Sequence, residues 1–359
     1  MNGVLIVDKP AGLTSHDVVN RVRRILQQRA VGHLGTLDPM ATGVLPLVTG
    51  SLTRLAQFYT SAEKIYEGTI RFGFSTDTYD AEGEPVTAPR QVDLRAEDVE
   101  ALAANFRGLI EQVPPPFSAK KIHGVAAYKL ARKHKEVVLQ PVKVEIKEFE
   151  ILAVEGDRAR FRARVASGTY MRSVAHDMGQ RLGCGAHLES LRRTAVAEFT
   201  LDDAHTLDEL ANLCYPNAHT LGESANLCHP DRSFAFPQGK GSGVEGPGAS
   251  PAPSEIPSGD VPSNMVPSSM EELFFHPRRL LPGLPSVTAD EPTAARIRSG
   301  RPVNLPELSR ARQVKVFYGQ RELIAIATRV AGTLFHPGIV LCGADTPFDR
   351  LRAGSVRRL

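Results

Sequence analysis

One carboxylate stands apart in the stretch VGHLGTLDPMATGVLPLVTG, residues 31–50: Asp38, set among glycines, threonines and apolar residues, with Pro39 directly behind it. The proline biases Asp38 away from helix, and a plain turn aspartate is the commoner fate of an Asp-Pro pair. Its surroundings favour chemistry. Gly32, Gly35 and Gly43 permit close backbone approach, and the neighbouring sequence holds no second acid, which disfavours the paired-carboxylate hydrolysis of glycosidases. The chain has no H-E-x-x-H, no phosphate-cradling G-K-[ST] loop, no dinucleotide fingerprint and no G-x-S-x-G elbow. What remains is a chemistry that uses one carboxylate, without metal or redox cofactor.

Such a group needs a scaffold, and the flanking patterns supply one. GVLIVDKPAG reads as a short apolar strand ended by a turn. TSHDVVNRVRRILQQ spaces Val18, Val19, Val22, Ile25 and Leu26 as one face of a helix capped by Thr14 or Ser15. GVLPLVTG predicts a buried strand, SLTRLAQFYTSAE a short helix, KIYEGTIRFGFST an alternating strand and RAEDVEALAANFRGLI a helix with a capping box. PVKVEIKEFEILAVEGDRARFRARVASG alternates through two or three strands, and GTYMRSVAHDMGQRLG predicts a helix stopped by Gly183. This order predicts an α+β domain with a largely antiparallel sheet, not a doubly wound one.

Composition sets the outer bounds. With 359 residues, 42% of them hydrophobic and 23% charged, the chain reads as a globular protein with room for two cores. No apolar run is long enough to span a membrane, and no secretory signal is visible, so the cytoplasm is the expected location. Cys184, Cys214, Cys228 and Cys342 are too widely spaced for a zinc site or a disulfide framework and are expected as reduced thiols. Between Ser118 and Lys147, eight Lys/Arg stand against two Glu, a pattern that suits either a solvated face or a phosphate-contacting one. HTLDELANLCYP (205–216) recurs as HTLGESANLCHP (219–230), a local duplication too short for a solenoid. From Asp231 to Met270, 21 of 40 residues are Pro, Gly or Ser, so that segment is expected to be a disordered linker.

GHLGTLDPMATGVLPL resembles the catalytic motif of the bacterial tRNA pseudouridine-55 synthase family, G-H-x-G-x-L-D-P-x-A-x-G. Four further stretches match that family in order: IVDKPAGLTSHD, KIYEGTIRFGFSTDTYDAEG, VPPPFSAKKIHGVAAYKLAR and SGTYMRSVAHDMGQRLGCGAHLESLRRT. The resemblance implies a pseudouridine synthase fold, a mixed and largely antiparallel sheet flanked by helices, in a catalytic domain over 1–210. It implies a small PUA-like β-barrel over 276–342; composition places a linker at 211–275, a departure from the family's usual direct passage, and a basic tail at 343–359. The activity implied is isomerisation of uridine 55 in the T-loop of tRNA, with Asp38 as a nucleophilic or charge-stabilising carboxylate and the extruded base stacked on Tyr66. Arg172 is then the partner that orients Asp38 and keeps it ionised. Tyr170 and Leu191 pack in the pocket, His33 fills the space the base leaves, and Lys9 lies near the site wall. Lys120, Lys121, Lys129 and Lys133 are the expected RNA-backbone contacts. The expected partner is tRNA through its T-arm, with no cofactor, no metal, no membrane and no obligate protein partner, the protein being a monomer. Leu34 departs from the motif, which commonly has a small polar residue there.

Two other readings are a synthase guided by a separate RNA and a non-catalytic RNA-binding or tRNA-folding protein. The guided relatives usually carry basic extensions that this chain barely shows, and Asp38, Tyr66 and Arg172 occurring together argue against a pure binder. A hydrolase using Asp38 would need a second carboxylate. Because the linker carries none of these residues, deleting 231–270 is expected to leave turnover nearly intact; a large loss of turnover on an unmodified tRNA transcript would refute the linker assignment.

Overall fold

The computed structural model describes residues 1–118, 120–122, 124–131, 139–215, 272–307 and 310–341. Its first unit is built on β1 (Gly3–Lys9), β2 (Val31–His33), β3 (Thr42–Thr49), β4 (Lys64–Phe72), β5 (Gly108–Gln112), a small β6–β7 hairpin (Lys121–Ile122 and Val125–Ala126), β8 (Val142–Glu155), β9 (Arg158–Val165), β10 (Ala186–Val196), β11 (Phe199–Thr200) and β12 (Ala204–His205). All but β6 and β7 form one sheet in the order β12-β1-β3-β10-β4-β9-β8-β5, with β2 added to β3 and β11 to β10. Only β1–β12 and β3–β10 are parallel, so the sheet is mixed and largely antiparallel, as expected. The helices are α1 (Ser15–Ile25), α2 (Ala56–Tyr59), α3 (Ala96–Ala104), α4 (Ala127–Ala131), α5 (Met171–Arg181) and α6 (Leu207–Cys214).

The sequence patterns of the strands follow from which faces are covered. In β1, Leu5 and Val7 join the core beneath α1 and α5, while Val4 and Ile6 join a second core on the opposite face. A strand buried on both sides has no polar positions to alternate with. In β9 only one face is covered: Ala159, Phe161, Ala163 and Val165 point inward, and Arg158, Arg160 and Arg162 are exposed. Helix α1 is closed at its N-terminus by a capping box in which Thr14 Oγ1 accepts from the Asp17 backbone N–H and Asp17 accepts from that of Thr14. Helix α3, by contrast, has no side-chain cap at Arg95, and the residues read as its last turn instead open β5 after Gly108, whose φ is +87°. No helix among the described residues is long and apolar enough to cross a membrane.

The domain boundaries differ at both ends of the expected linker. Residues 211–214 complete α6, and the Tyr215 hydroxyl donates to Ile25 O at 3.0 Å, fastening α6 to α1. At the far end, the backbone N–H of Phe275 donates to Val4 O at 2.7 Å, and the Phe275 ring meets Phe199 edge-on with centroids 4.9 Å apart. Burial of Leu210 and Phe275 helps hold α6 and the residues around Phe275 against the first unit. Residues 216–271, which hold the second repeat copy and the expected linker, and 342–359, which hold the expected tail, lie outside the described residues.

The C-terminal unit comprises β13 (Ser286–Ala289), α7 (Glu291–Arg298), β14 (Val303–Asn304), β15 (Gln313–Tyr318), β16 (Glu322–Ala331) and β17 (Leu334–Val340). Its five strands run in the order β13-β15-β16-β17-β14, an open path rather than a closed barrel. Phe317, Leu323 and Ile326 pack with Val4, Ile6, Val44 and Val48 of the first sheet. Glu198 joins the units, accepting from the Tyr59 hydroxyl at 2.6 Å and the Leu281 backbone N–H at 2.8 Å.

The parallel β3–β10 pair sets the position of the Asp38 loop. Gly43 has φ +100°, and a Cβ there would lie 2.2 Å from the carbonyl oxygen of Arg193. Replacing Gly43 by Ala is therefore expected to cost about 3 kcal/mol or more, from left-handed backbone and a clash with an immobile carbonyl. The midpoint of urea unfolding measures this, and an unchanged midpoint would contradict the close packing.

Candidate active site

Asp38 sits on an excursion between β2 and β3, and each backbone carbonyl from Gly35 to Pro39 has a donor. Arg193 donates to Gly35 O at 3.0 Å and Thr36 O at 3.3 Å. Ser15, the first residue of α1, donates through Oγ to Leu37 O at 3.1 Å and accepts from the Leu37 N–H at 2.8 Å. The Ala41 N–H donates to Asp38 O at 3.1 Å, and Pro39 O receives both the Gly12 N–H at 2.9 Å and Lys9 Nζ at 3.0 Å. A loop with its carbonyls captured this way has few alternative conformations without leaving buried acceptors unpaired.

The carboxylate itself meets Arg172 in a two-point contact. Nη2 donates to Oδ1 at 3.0 Å, and Nε lies 2.9 Å from Oδ2. Arg172 is the second residue of α5, whose first turn is fastened to β5 and the segment after it. Gln112 exchanges two hydrogen bonds with the Tyr170 backbone at 2.9 and 3.0 Å, and Ser173 Oγ donates to Val113 O at 2.8 Å. The guanidinium also donates to Thr78 O at 3.1 Å and Phe117 O at 3.0 Å. It is thus held in orientation by two carbonyls as well as by its contact with Asp38.

Burial in the cleft pushes the Asp38 carboxyl above the ordinary carboxylate range, and Arg172 opposes this without cancelling it. A second acid contributes to the upward push. Asp80, distant in sequence, lies with Oδ2 3.4 Å from Arg172 Nη1, and its Oδ1 accepts from Thr78 Oγ1 at 2.6 Å and the Glu82 N–H at 3.1 Å. The site therefore holds two carboxylates on one guanidinium rather than a lone acid. They are not equivalent: the Asp38 side chain is 34% exposed and that of Asp80 only 5%, so of the two only Asp38 is open to solvent. That arrangement does not make the acid-and-base pair a hydrolase would need.

Asp80 lies within the stretch KIYEGTIRFGFSTDTYDAEG, but its contact with Arg172 is delivered by a turn with Tyr79 at φ +66° that the stretch alone does not reveal. That strained turn is held by backbone hydrogen bonds between Tyr79 O, Ala81 N and Leu188 of β10, and by Tyr79 stacking on His176 at 3.8 Å. Arg193 left a legible signal. Leu191, expected in the pocket, and Arg193 are two apart on β10 and share its inward face, with Arg192 turned outward to pair with Asp8 at 2.7 Å.

The other expected site residues fall around this centre. Tyr66 and Leu191, each 8% exposed, share an apolar cluster with Leu37 and Ala41, which flank Asp38. Tyr170 is half-buried at the start of α5, and burial raises its phenol's pKa. His33 ends β2 with an unpartnered buried Nδ1; burial, with Arg193 and His16, lowers its pKa and favours the neutral ring. Lys9 is fully buried under the loop rather than on an open wall, and burial lowers its pKa to about 8. Leu34, the departure from the motif, turns to the opposite core with Val44 and Val48, so the missing hydroxyl lies away from Asp38. Lys120 is exposed; Lys121 is in β6 and Lys129 in α4, while Lys133 lies outside the described residues. No group of three or more potential metal ligands occurs among the described residues.

Comparison with known proteins places the chain in a family. Residues 23–171 match the model of the TruB family pseudouridylate synthase N-terminal domain, and 172–229 that of the tRNA pseudouridylate synthase B C-terminal domain. The chain is 46% identical over 345 residues to the tRNA pseudouridine synthase B of Solibacter usitatus (strain Ellin6076), covering 95% of this chain and 100% of that one. It is 48% identical over 216 residues to the protein of the same name from Opitutus terrae, covering 60% and 90% respectively. Among solved structures, a Cbf5-Nop10-Gar1 complex contains a chain that superposes with a TM-score of 0.62 at 23% identity, covering 96% of this chain and 86% of that one, a likeness of fold. On the match along nearly its whole length, the chain belongs to the TruB family of pseudouridylate synthases.

Proposed function

We propose that this protein isomerises uridine 55 in the T-loop of tRNA to pseudouridine, with Asp38 as the catalytic carboxylate. The Asp38–Arg172 pair carries the reading: a solvent-facing carboxylate, oriented by a buried guanidinium, within a loop whose carbonyls from Gly35 to Pro39 are captured. The tRNA substrate is supported by the names of relatives matched over most of their length.

The N1–C1′ bond of the nucleoside breaks, the base turns, and a C1′–C5 bond forms. The C5 hydrogen leaves as a proton and N1 gains one, so the reaction is redox-neutral. Asp38 supplies the negative charge beside the ribose and base that this rearrangement requires. A uridine within a folded loop must first be extruded. Tyr66 and Leu191 form the apolar wall that receives it, and His33, favoured as the neutral ring, occupies the gap it leaves. The C-terminal sheet acts as a PUA-like RNA-binding unit that contacts backbone phosphates, a role supported by the exposed Arg296, Arg301, Arg310 and Arg312. Lys120 and its basic neighbours extend the contact. In this reading the protein works in the cytoplasm as a monomer, without guide RNA, metal or cofactor.

Tritium at C5 of uridine in an unmodified tRNA transcript reports each turnover. The expected result is release by the wild type and none by Asp38→Asn with RNA affinity retained. Tight binding without release from either protein would favour the non-catalytic reading.

A further inference from the structure

Arg193 is a charged side chain with no exposed surface, and no carboxylate of the described residues pairs with it. Burying an unpaired guanidinium is costly, and an apolar residue of similar size would fill the same space more cheaply. Each of its three nitrogens donates to a backbone carbonyl at one or other end of a single excursion. Nη2 and Nη1 reach Gly35 and Thr36 as the chain leaves β2, and Nε donates to Val44 O at 2.8 Å after the chain has returned into β3. Asp38 lies between these anchors. Gly35 has φ +124°, a left-handed backbone that favours glycine, and a Cβ there would lie in contact with Arg193 Nη1 at 3.6 Å. The Arg193 backbone is in register with Gly43 on β3 and with Tyr66 on β4. One residue therefore spans the strand that returns from Asp38 and the strand that carries the expected stacking ring.

We propose that Arg193 is a positioning residue for the isomerisation, setting Asp38 relative to Tyr66 by tying both ends of the loop to β10. The proposal rests on the reading of Asp38 as catalytic. Arg193 touches no substrate, since it has no exposed surface. Lysine cannot replace it, because one ammonium cannot reproduce a planar fork that serves three carbonyls in fixed directions. A displacement of Asp38 by about 1 Å would slow the chemical step by up to about 100-fold while leaving the RNA surface unchanged.

The test is single-turnover tritium release with Arg193→Lys, with Arg193→Ala in the presence and absence of millimolar guanidinium, and with Asp38→Asn, each checked for folding by circular dichroism. The expected result for Arg193→Lys is a rate constant about 10- to 100-fold lower, with full amplitude and an RNA Kd within about threefold of wild type. Guanidinium is expected to restore part of the rate to Arg193→Ala. A loss of amplitude at an unchanged rate constant would mean that Arg193 only holds the fold, and failure of both variants to fold would mean the same; either overturns the proposal. A wild-type rate constant in folded Arg193→Lys, with Asp38→Asn inactive, overturns the positioning role alone. Full activity of Asp38→Asn would instead overturn the catalytic reading on which the proposal rests.

Discussion

The rest of the site depends on the capture of five consecutive carbonyls, from Gly35 to Pro39. A loop this close to the core cannot leave acceptors unpaired, because each would cost about 1–3 kcal/mol. Donors come from three regions of the chain: residues 9–15, with Lys9 and Gly12 after β1 and Ser15 at the start of α1, Ala41 within the loop, and Arg193 on β10. The loop is therefore correctly shaped only when β1, α1 and β10 are all in place. That couples the geometry of one carboxylate to the assembly of the whole sheet.

Onto this fixed loop the structure superimposes an electrostatic conflict. Burial raises the free energy of the Asp38 carboxylate, Asp80 adds to the rise, and Arg172 with Lys9 lowers it. The folded-state pKa is above the unfolded one, so the folded protein favours the protonated form. This group's contribution to stability is accordingly greatest at low pH and declines as pH rises through the unfolded value towards the folded one. The proposed reaction uses the opposite form, so in that reading activity falls as pH drops through the raised pKa. Arg172 keeps that fall from moving further towards neutrality. A partly desolvated carboxylate is also a more reactive one, since water solvates it less.

Much of this was legible in the sequence, for a definable reason. Alternation on β9, the apolar run of β1 and the capping box of α1 follow from local pattern alone, and the motif around Asp38 points to Arg172 and Tyr66. Arg193 required one further step, the two-residue pleat that puts it on the face of Leu191. Asp80 was not legible, because a turn held in a rare conformation by Leu188 and His176 delivers it. The same limit explains the linker ends: Phe275 looks like part of a Pro/Gly/Ser-rich region until its ring is seen against Phe199. Leu34 shows the reverse case, a departure from the motif that has no consequence for Asp38 because the side chain points into the other core.

The most direct test of the account is a carbon-13 NMR titration of the Asp38 carboxyl, assigned by its loss in Asp38→Asn and repeated in Arg172→Met. The account predicts a midpoint above the ordinary aspartate value of about 3.9 in the wild type, moving higher still when the guanidinium is removed. A midpoint at or below that value, unmoved in Arg172→Met, would contradict it: Asp38 would then be an ordinary solvated acid, and the buried frame around it would not set its chemistry.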